Sequence, residues 1–538
     1  MKILITEKIS PAALRVFRDE PEFEVVTPDQ ITDLPAAIRD ADALVVRSAT
    51  DVNANLIDAA QKLRVIGRAG VGVDNVDADA ATRKGIVVMN TPGANAVAVA
   101  EHTIGLMLSL ARFIPRADQT TRAGKWEKKS LQGTELREKT LGIIGLGRVG
   151  VEVARRARAF GMKVLAYDPF VSQQLARDLE IDLVALEPLY AASDYISLHV
   201  GLTPQTTGMI NTGSLAKMKK GVRLVNCARG ELIDDAALLG ALNSGQVAGA
   251  ALDVFTHEPP KETALLAAPN VIATPHIAGS TNEAQELVGV QIAMQVKEYL
   301  KRGVIQNAVN VPSLSDEEYK EMQPYIDVAE RLGLFLGQLS EGNLESISVG
   351  YHGKIAEWKT ALLRNSVLKG ALKQSIDSVN LVNAVSVASE RGIQVQEQKK
   401  LEDSSFGNVI SLCLRSHEGE HRARAALLHR SPRLLELDGF HIETPLAGHL
   451  TVLRNRDVPG VIGQVGTLLG KNEINIANFA LGRSEGSASS AAASTSSGAA
   501  ALRAEAMAVV QTDQQVSTQA LAELKRIPAV VSVKAVEI

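Results

Sequence analysis

The sequence predicts an α/β protein of several domains built mainly on parallel sheets, and three observations carry that expectation. Short apolar, β-branched runs alternate with helix-like stretches from Lys2 to about Arg302. The hexapeptide Gly145-Leu146-Gly147-Arg148-Val149-Gly150 falls between one such run and a helix-like stretch. The C-terminal segment, 446–538, follows the order βαββαβ. A chain of 538 residues also exceeds what one hydrophobic core usually serves, which points to three or four domains.

Composition excludes several classes of function. With 46% hydrophobic and 22% charged residues and a formal net charge of -4, there is no extended basic field, so nucleic acid is not an expected partner. Cys227 and Cys413 have neither metal-ligand spacing nor a disulfide framework; no metal site is expected, and a reducing, cytoplasmic compartment suits them. The first apolar triplet is closed by Thr6, Glu7 and Lys8, which makes a strand rather than a signal peptide. The most apolar helical run, 103–111, is bracketed by Glu101, His102 and Arg112 and falls short of the roughly 20 residues a membrane helix needs, so no membrane is expected.

Taken in order, 2–6, 43–47, 65–68, 87–90, 140–145, 163–168, 196–199, 222–227, 248–254 and 271–274 read as strands, too many for one small sheet. A helical passage from Ala96 to about Arg122, apolar at i, i+3 and i+4 and followed by the Gly124-Lys125-Trp126 turn, is placed to cross between two sheets. A second helix, roughly 281–300, ends at Gly303 and carries the chain back, and Val309-Asn310-Val311-Pro312 completes the first domain. The expected layout is a discontinuous, flavodoxin-like domain (1–95 and 285–312) with a doubly wound parallel-sheet nucleotide domain (96–284) inserted into it. Beyond Pro312, 313–318 reads as a linker and 313–445 as a mixed α/β domain without a catalytic motif. The last domain, 446–538, has strands at 449–454, 474–481, 502–511 and 529–536 and helices to about Lys471 and at 517–526, the ferredoxin-like order. Its insert 484–501 is almost entirely Ser, Ala and Gly and is expected to be a disordered loop, because it cannot bury enough apolar surface to offset ordering.

Context gives the glycine hexapeptide its meaning: an apolar strand precedes it and a helix, 149–160, follows. Gly145 permits a tight turn, Gly147 lets backbone approach a pyrophosphate, and Gly150 allows close helix–strand packing, while the helix N-terminus at Arg148 and Val149 favours negative charge. The next strand ends at Asp168, eighteen positions beyond Gly150, close to the spacing of a ribose-binding acid. Its carboxylate accepts the ribose hydroxyls and repels a 2′-phosphate, so the expected cofactor is NAD rather than NADP.

Hydride exchange with a 2-hydroxyacid needs a cation for the carboxylate, a base for the hydroxyl and an acid partner to tune that base. Arg229, at the end of Val225-Asn226-Cys227-Ala228-Arg229-Gly230, supplies a planar guanidinium at a strand C-terminus. His276 follows the strand 271–274 and Pro275, with Gly279 nearby leaving room for cofactor. Glu258, in Thr256-His257-Glu258-Pro259-Pro260, is placed to hold the second ring nitrogen. Each residue alone reads more readily as a surface charge, a structural histidine or an ordinary loop; their joint position behind the nucleotide motif changes that balance. His257 competes with His276 as the base, but no strand aims it.

At Gly145–Gly150, Asp168, 226–230, Ala251-Leu252-Asp253-Val254-Phe255, Glu258-Pro259 and Pro275-His276 the sequence resembles the D-2-hydroxyacid dehydrogenases. Arg68-Ala69-Gly70-Val71-Gly72-Val73-Asp74-Asn75, Asn90-Thr91-Pro92 and Gly124-Lys125-Trp126 resemble the 3-phosphoglycerate dehydrogenase branch, over essentially 1–312. The resemblance implies Arg229 as carboxylate ligand, His276 as acid/base, Glu258 as its partner, and Asp253 with the backbone of Cys227, Ala228 and Arg229 beside the nicotinamide end of NAD. It also implies a phosphorylated substrate, 3-phosphoglycerate, with Arg47 and Arg68 as phosphate ligands and Ser48 and Asn95 as neutral donors. Oxidation of that substrate is the first step of L-serine biosynthesis. Val71 departs from the Thr common in this loop, which removes a side-chain contact to cofactor.

Residues 313–445 resemble the intervening domain of the long form, and 446–538 resemble an ACT domain, a regulatory module that pairs across subunits. Asp457, Asn475 and, more weakly, Asn455 match positions that hold serine, so the resemblance implies a serine effector and a homo-oligomer, a dimer or tetramer, with 125–129 reaching a neighbouring subunit. The insert departs from the usual ACT pattern and puts serine feedback in more doubt than catalysis. Two alternatives remain open at this point: another D-2-hydroxyacid dehydrogenase or hydroxypyruvate reductase, and a non-catalytic NAD-sensing protein on the same fold.

Overall fold

The apolar, β-branched runs form four sheets in a computed structural model that describes residues 1–261, 263–312, 316–374, 376, 379–401, 406–483 and 505–538. The expected disordered insert, 484–501, lies outside these residues. The first sheet contains β1 (Lys2–Ile5), β2 (Glu24–Val26), β3 (Ala43–Val46), β4 (Val65–Arg68) and β5 (Val87–Met89), all parallel in the order β2-β1-β3-β4-β5. This is the flavodoxin-like winding. Strand periodicity sends Ile3 and Ile5 to a core with Phe17 and Val45, while Leu4 and Leu44 meet Ile57 and Ala81 on the opposite face. The edge strand β2 was not expected: three residues are too few to display an alternation, and pairing to β1 defines it.

The second sheet contains β6 (Thr140–Ile144), β7 (Lys163–Tyr167), β8 (Asp182–Leu183), β9 (Tyr195–Leu198), β10 (Val222–Asn226), β11 (Val247–Leu252) and β12 (Val271–Ala273). Its order, β12-β11-β10-β9-β6-β7-β8, is the dinucleotide-binding winding with a seventh strand, and every pair is parallel. The order reverses between β6 and β9, so a ligand crevice opens there beyond the strand C-termini.

Two helices join these sheets. Ala96–Arg112 packs Ile104, Met107 and Leu110 on the second sheet. The single helix expected to about Arg122 is instead two: Phe113 adopts a φ of 54°, and Ile114–Arg122 leaves at 62° to its predecessor. Pro115 has no N–H for the Ala111 carbonyl, which accepts from Thr134 N at 2.9 Å instead. The return helix, Asn282–Arg302, is capped by Thr281 and closed by Gly303 in the left-handed region (φ 71°). Its Val288, Ile292 and Val296 enter the core of the first sheet, and Gly67 admits them, since a Cβ there would stand 2.7 Å from Val296 Cγ2. The chain then runs along β5, where Val309 N donates to Val88 O (2.8 Å) and Asn310 Oδ1 accepts from Val88 N (2.9 Å). No single described helix is long and apolar enough to cross a membrane.

The third sheet contains β13 (Leu344–His352), β14 (Gln394–Lys400), β15 (Val409–Ser416), β16 (Gly419–Leu428), β17 (Ser431–Leu437) and β18 (Phe440–Pro445). It is antiparallel apart from the β13–β14 pair. Helix Asp316–Leu339 begins inside the stretch expected to be a linker, because an Asp-Glu-Glu run suits a helix start as well as a linker. It lies backbone to backbone with Ala361–Leu372: a Cβ on Gly333 would be 2.2 Å from Val367 O, and one on Gly370 2.1 Å from Glu330 O. The fourth sheet, β19 (His449–Arg456), β20 (Ile476–Arg483), β21 (Glu505–Thr512) and β22 (Val530–Glu537), has the order β20-β21-β19-β22 with helices Val461–Lys471 and Thr518–Lys525, the ferredoxin-like arrangement.

Candidate active site

The glycine loop after β6 meets the requirements of a dinucleotide cradle. Gly145 has a φ of 96°, where an L side chain is strained, and a Cβ on Gly150 would lie 2.1 Å from Gly145 O. At Gly147, which starts helix Arg148–Ala159, a Cβ would meet nothing within 4 Å, so its bare backbone faces open space. Asp168, one residue past β7, accepts from Leu146 N (2.9 Å) and Phe170 N (2.8 Å), which fixes its carboxylate beside the loop. These residues fit NAD: an open backbone face at a helix N-terminus for pyrophosphate and a fixed acid for ribose. Val149 is half-buried in the first turn, and the Arg148 guanidinium donates to Pro92 O in the connection to the first sheet.

A cleft of about 470 Å³ opens between the two parallel sheets, and Arg47, Ser48, Arg68, Asn95, Glu258 and His276 line it. His276 Nδ1 and Glu258 Oε2 are 2.6 Å apart, and Glu258 Oε1 accepts from Phe255 N at 3.0 Å. A carboxylate only accepts, so Nδ1 carries a proton, and the neutral form of the ring then has its lone pair on Nε2. His257, the competing histidine, does not line the cleft. Gly279 stands against Asn95, whose Nδ2 would be 2.9 Å from a Cβ there.

Arg229 reaches from beyond β10 to the glycine-rich loop after β4, pairing with Asp74 at 2.9 Å. The loop's glycines make room for arginines: a Cβ on Gly72 would lie 2.1 Å from Arg229 Nη2, and one on Gly70 1.5 Å from Arg68 Nη1. Asn226 fixes this turn from beneath, donating to Arg229 O (2.8 Å) and accepting from Ala228 N (3.0 Å). Burial and the Arg229 guanidinium lower the proton affinity of Arg68, with Asp74 and Glu7 opposing. Arg68 Nε is buried without a hydrogen-bond partner among the described residues, which leaves a donor that an anion in the cleft would satisfy. Cys227 contributes no thiolate, because burial pushes its thiol up to about 12.

Asp253 departs from a simple cofactor contact. Its side chain is fully buried, Oδ1 accepts from Thr274 Oγ1 (2.5 Å) and Ile277 N (3.0 Å), and Oδ2 accepts from Ala278 N (2.9 Å). Burial raises the carboxyl's pKa, but hydrogen bonds from His102, Thr274 and the two amides outweigh it and hold the group below its ordinary value. Sequence reasoning missed His102 and Thr274, and also Glu7, which anchors the loop carrying Arg47 and Ser48 by accepting from the amides of Arg47, Ala49 and Thr50. Glu7 left a signal only as the charge closing the first strand.

In the fourth sheet, Asn455 and Asp457 border a cleft of about 410 Å³, where Asp457 pairs with Arg483 at 3.0 Å. Asn475 is not brought to it. Asn455 aligns through Ala506 with Arg483, whereas Ile476 aligns through Thr512 with His449, at the other end of the sheet. Asn475 binds Asp513 there at 2.6 Å.

Residues 104–278 match the profile of the D-isomer specific 2-hydroxyacid dehydrogenase NAD binding domain, and 321–438 match the D-3-phosphoglycerate dehydrogenase intervening domain. The chain is 42% identical to D-3-phosphoglycerate dehydrogenase of Methanocaldococcus jannaschii, over 90% of this chain and 93% of that protein. It is 38% identical to the Bacillus subtilis enzyme of the same name, over 100% and 99% of the two chains. Among solved structures, D-lactate dehydrogenase from Aquifex aeolicus complexed with NAD and lactic acid aligns with a TM-score of 0.51 at 30% identity, covering 58% of this chain and all of that one. A glyoxylate reductase from Paecilomyes thermophila aligns at 0.52 and 33%, covering 57% and 98%. With the nucleotide cradle, the His276–Glu258 pair and the arginine-lined cleft on one scaffold, the chain belongs to the D-3-phosphoglycerate dehydrogenase family of NAD-dependent 2-hydroxyacid dehydrogenases.

Proposed function

We propose that the chain oxidises 3-phospho-D-glycerate to 3-phosphohydroxypyruvate with NAD, the first step of L-serine biosynthesis, in the cleft between its two parallel sheets. The observation that carries the residue assignments is the convergence of the 2.6 Å His276–Glu258 pair with Arg47 and Arg68 in one cleft. Arg47 and Arg68 hold the phosphate, Ser48 and Asn95 add neutral donors, and Arg229 takes the carboxylate. NAD held by the Gly145–Gly150 loop and Asp168 would supply the hydride acceptor for C2. His276 Nε2 takes the C2 hydroxyl proton, and Glu258 stabilises the resulting imidazolium through Nδ1. The exposed backbone at Gly147 admits the pyrophosphate, and Asp168 receives the ribose hydroxyls. Domain limits of 1–95 with 285–312, 96–284, 313–445 and 446–538 belong to this reading and are supported by the four sheets. Initial rates of NADH formation test it: wild type turns over 3-phosphoglycerate, and His276→Ala lowers kcat roughly 100- to 10,000-fold. A rate near zero in both proteins overturns it.

The regulatory part of the proposal is serine binding by Asp457 and Asn455 of one copy and Asn475 of a second, in a homo-oligomer. What supports a second copy is the placement of these residues at opposite ends of the sheet in one chain, together with Trp126, 85% exposed in the segment expected to reach a neighbour. A cytoplasmic site of action accords with free Cys227 and Cys413.

A further inference from the structure

His276 adopts a φ of 54°, in the left-handed region that a histidine rarely occupies, so its surroundings must hold it there. One residue supplies most of that hold. Asp253 O accepts from His276 N at 2.9 Å, and its carboxylate accepts from the next two amides, Ile277 N and Ala278 N. That carboxylate is fully buried and has no Lys or Arg partner among the described residues. Its remaining partners are the Thr274 hydroxyl, at 2.5 Å, and the imidazole of His102, whose Nε2 is 3.1 Å from Thr274 Oγ1 and 3.4 Å from Asp253 Oδ1.

Hydrogen-bond bookkeeping fixes the direction of this chain. A threonine hydroxyl has one proton, and here it is given to a carboxylate that can only accept. The contact between His102 and Thr274 therefore requires Nε2–H of His102 to donate, in either charge state of the ring. His102 itself sits on helix Ala96–Arg112, 172 positions from Thr274, with its side chain 22% exposed. The Cys227 thiol beyond β10 lies near Asp253 and shares a hydrogen bond with Thr103, the next residue on the His102 helix.

We propose that His102 is a positioning residue for His276: it donates to Thr274 and faces the buried Asp253 carboxylate, and together these set the backbone that aims the base. The proposal rests on the reading of His276 as the acid/base. Loss of His102 leaves Asp253 buried with one fewer donor and lets His276 leave the left-handed conformation.

Selective 13C labelling of the histidine Cε1 positions in the unliganded full-length protein tests this without turnover, with the His276 resonance assigned by its absence in His276→Gln. The expected result is one sharp His276 resonance in wild type, a shifted or broadened one in His102→Leu, and recovery in His102→Gln, whose amide presents an N–H at similar reach. Alongside, kcat falls roughly 10- to 100-fold in His102→Leu and in Thr274→Val, and the double variant loses no more than the worse single one. An unchanged His276 resonance in His102→Leu overturns the proposal, as does a double variant whose losses multiply. If His102→Leu fails to fold, Thr274→Val and His102→Gln carry the same comparison. The reading beneath it fails separately: His276→Ala with wild-type turnover removes the base and leaves the resonance result standing.

Discussion

Glu258 and His276 meet at 2.6 Å in a cleft whose other charged lining residues are Arg47, Arg68 and Asp74, and the charge on Glu258 stabilises the imidazole most when the ring gains a proton. Glu258→Gln keeps an acceptor but loses that charge, and kcat is expected to fall roughly 10- to 100-fold with a smaller change in KM. A second residue ties the nucleotide crevice to pH. Desolvation pushes the His199 imidazole down to about 4 from its ordinary 6.5, and its ring bonds Ser197 Oγ at 2.8 Å. A folded-state pKa below the unfolded one means that the unfolded chain binds more protons between these values, so stability is lost as pH falls from about 6.5 to 4 and levels off below that. The loss attributable to His199 is roughly 2–4 kcal/mol. Urea denaturation across that window should be visibly less steep in pH for His199→Gln, and an unchanged slope contradicts the assignment.

Helices and strands carry the next set of consequences. Gly147 and Gly150 lie three residues apart in one motif, yet substitution acts on different properties. Gly150→Ala drives a methyl to 2.1 Å from Gly145 O, a clash with backbone that costs about 1–3 kcal/mol or more in the free protein. Gly147→Ala meets no atom within 4 Å at a φ of -78°, so Tm should stay near wild type. Its methyl instead occupies the approach for pyrophosphate, and NAD affinity measured by calorimetry should weaken by roughly tenfold or more, ~1.4 kcal/mol. Wild-type affinity in Gly147→Ala would remove the cradle from the account. The motif was legible because strand, glycines, helix and acid stand in a fixed order. What escaped were the break at Phe113 and strands of two or three residues, Glu24–Val26 and Asp182–Leu183. Pro115 was visible, but the freed Ala111 carbonyl finds Thr134 only in space, and short strands exist through their neighbours rather than their own periodicity. His102 escaped for the same reason: on a helix it reads as one polar residue, and its partners lie far away in sequence.

At the scale of the whole molecule, one buried core runs from Ile3 in the first sheet through Val296, Met322 and Leu332 to Val536 in the last. Gln338 ties the fourth sheet to this core, donating to Glu537 O at 2.7 Å and accepting from Glu537 N at 3.1 Å, and Lys534 pairs with Glu341 at 3.0 Å. Solved relatives align over 57–58% of this chain and 98–100% of their own chains, and the fragment 1–312 is expected to turn over 3-phosphoglycerate while lacking any response to serine that the full chain has. A folded but inactive fragment would mean that the later sheets complete the site. The parallel domains were legible from alternation and motif order, whereas the separation of Asp457 from Asn475 depends on strand register that sequence does not display. Arg47 and Arg68 are expected to make the cleft specific for a phosphorylated 2-hydroxyacid, which kcat/KM for 3-phosphoglycerate against D-glycerate in wild type and Arg68→Ala measures. Two charge-assisted contacts at about 1.5–3 kcal/mol each predict a wild-type preference of roughly 100- to 10,000-fold that shrinks at least tenfold in the variant. Comparable rates on the two substrates, or a preference untouched by removing Arg68, would contradict it.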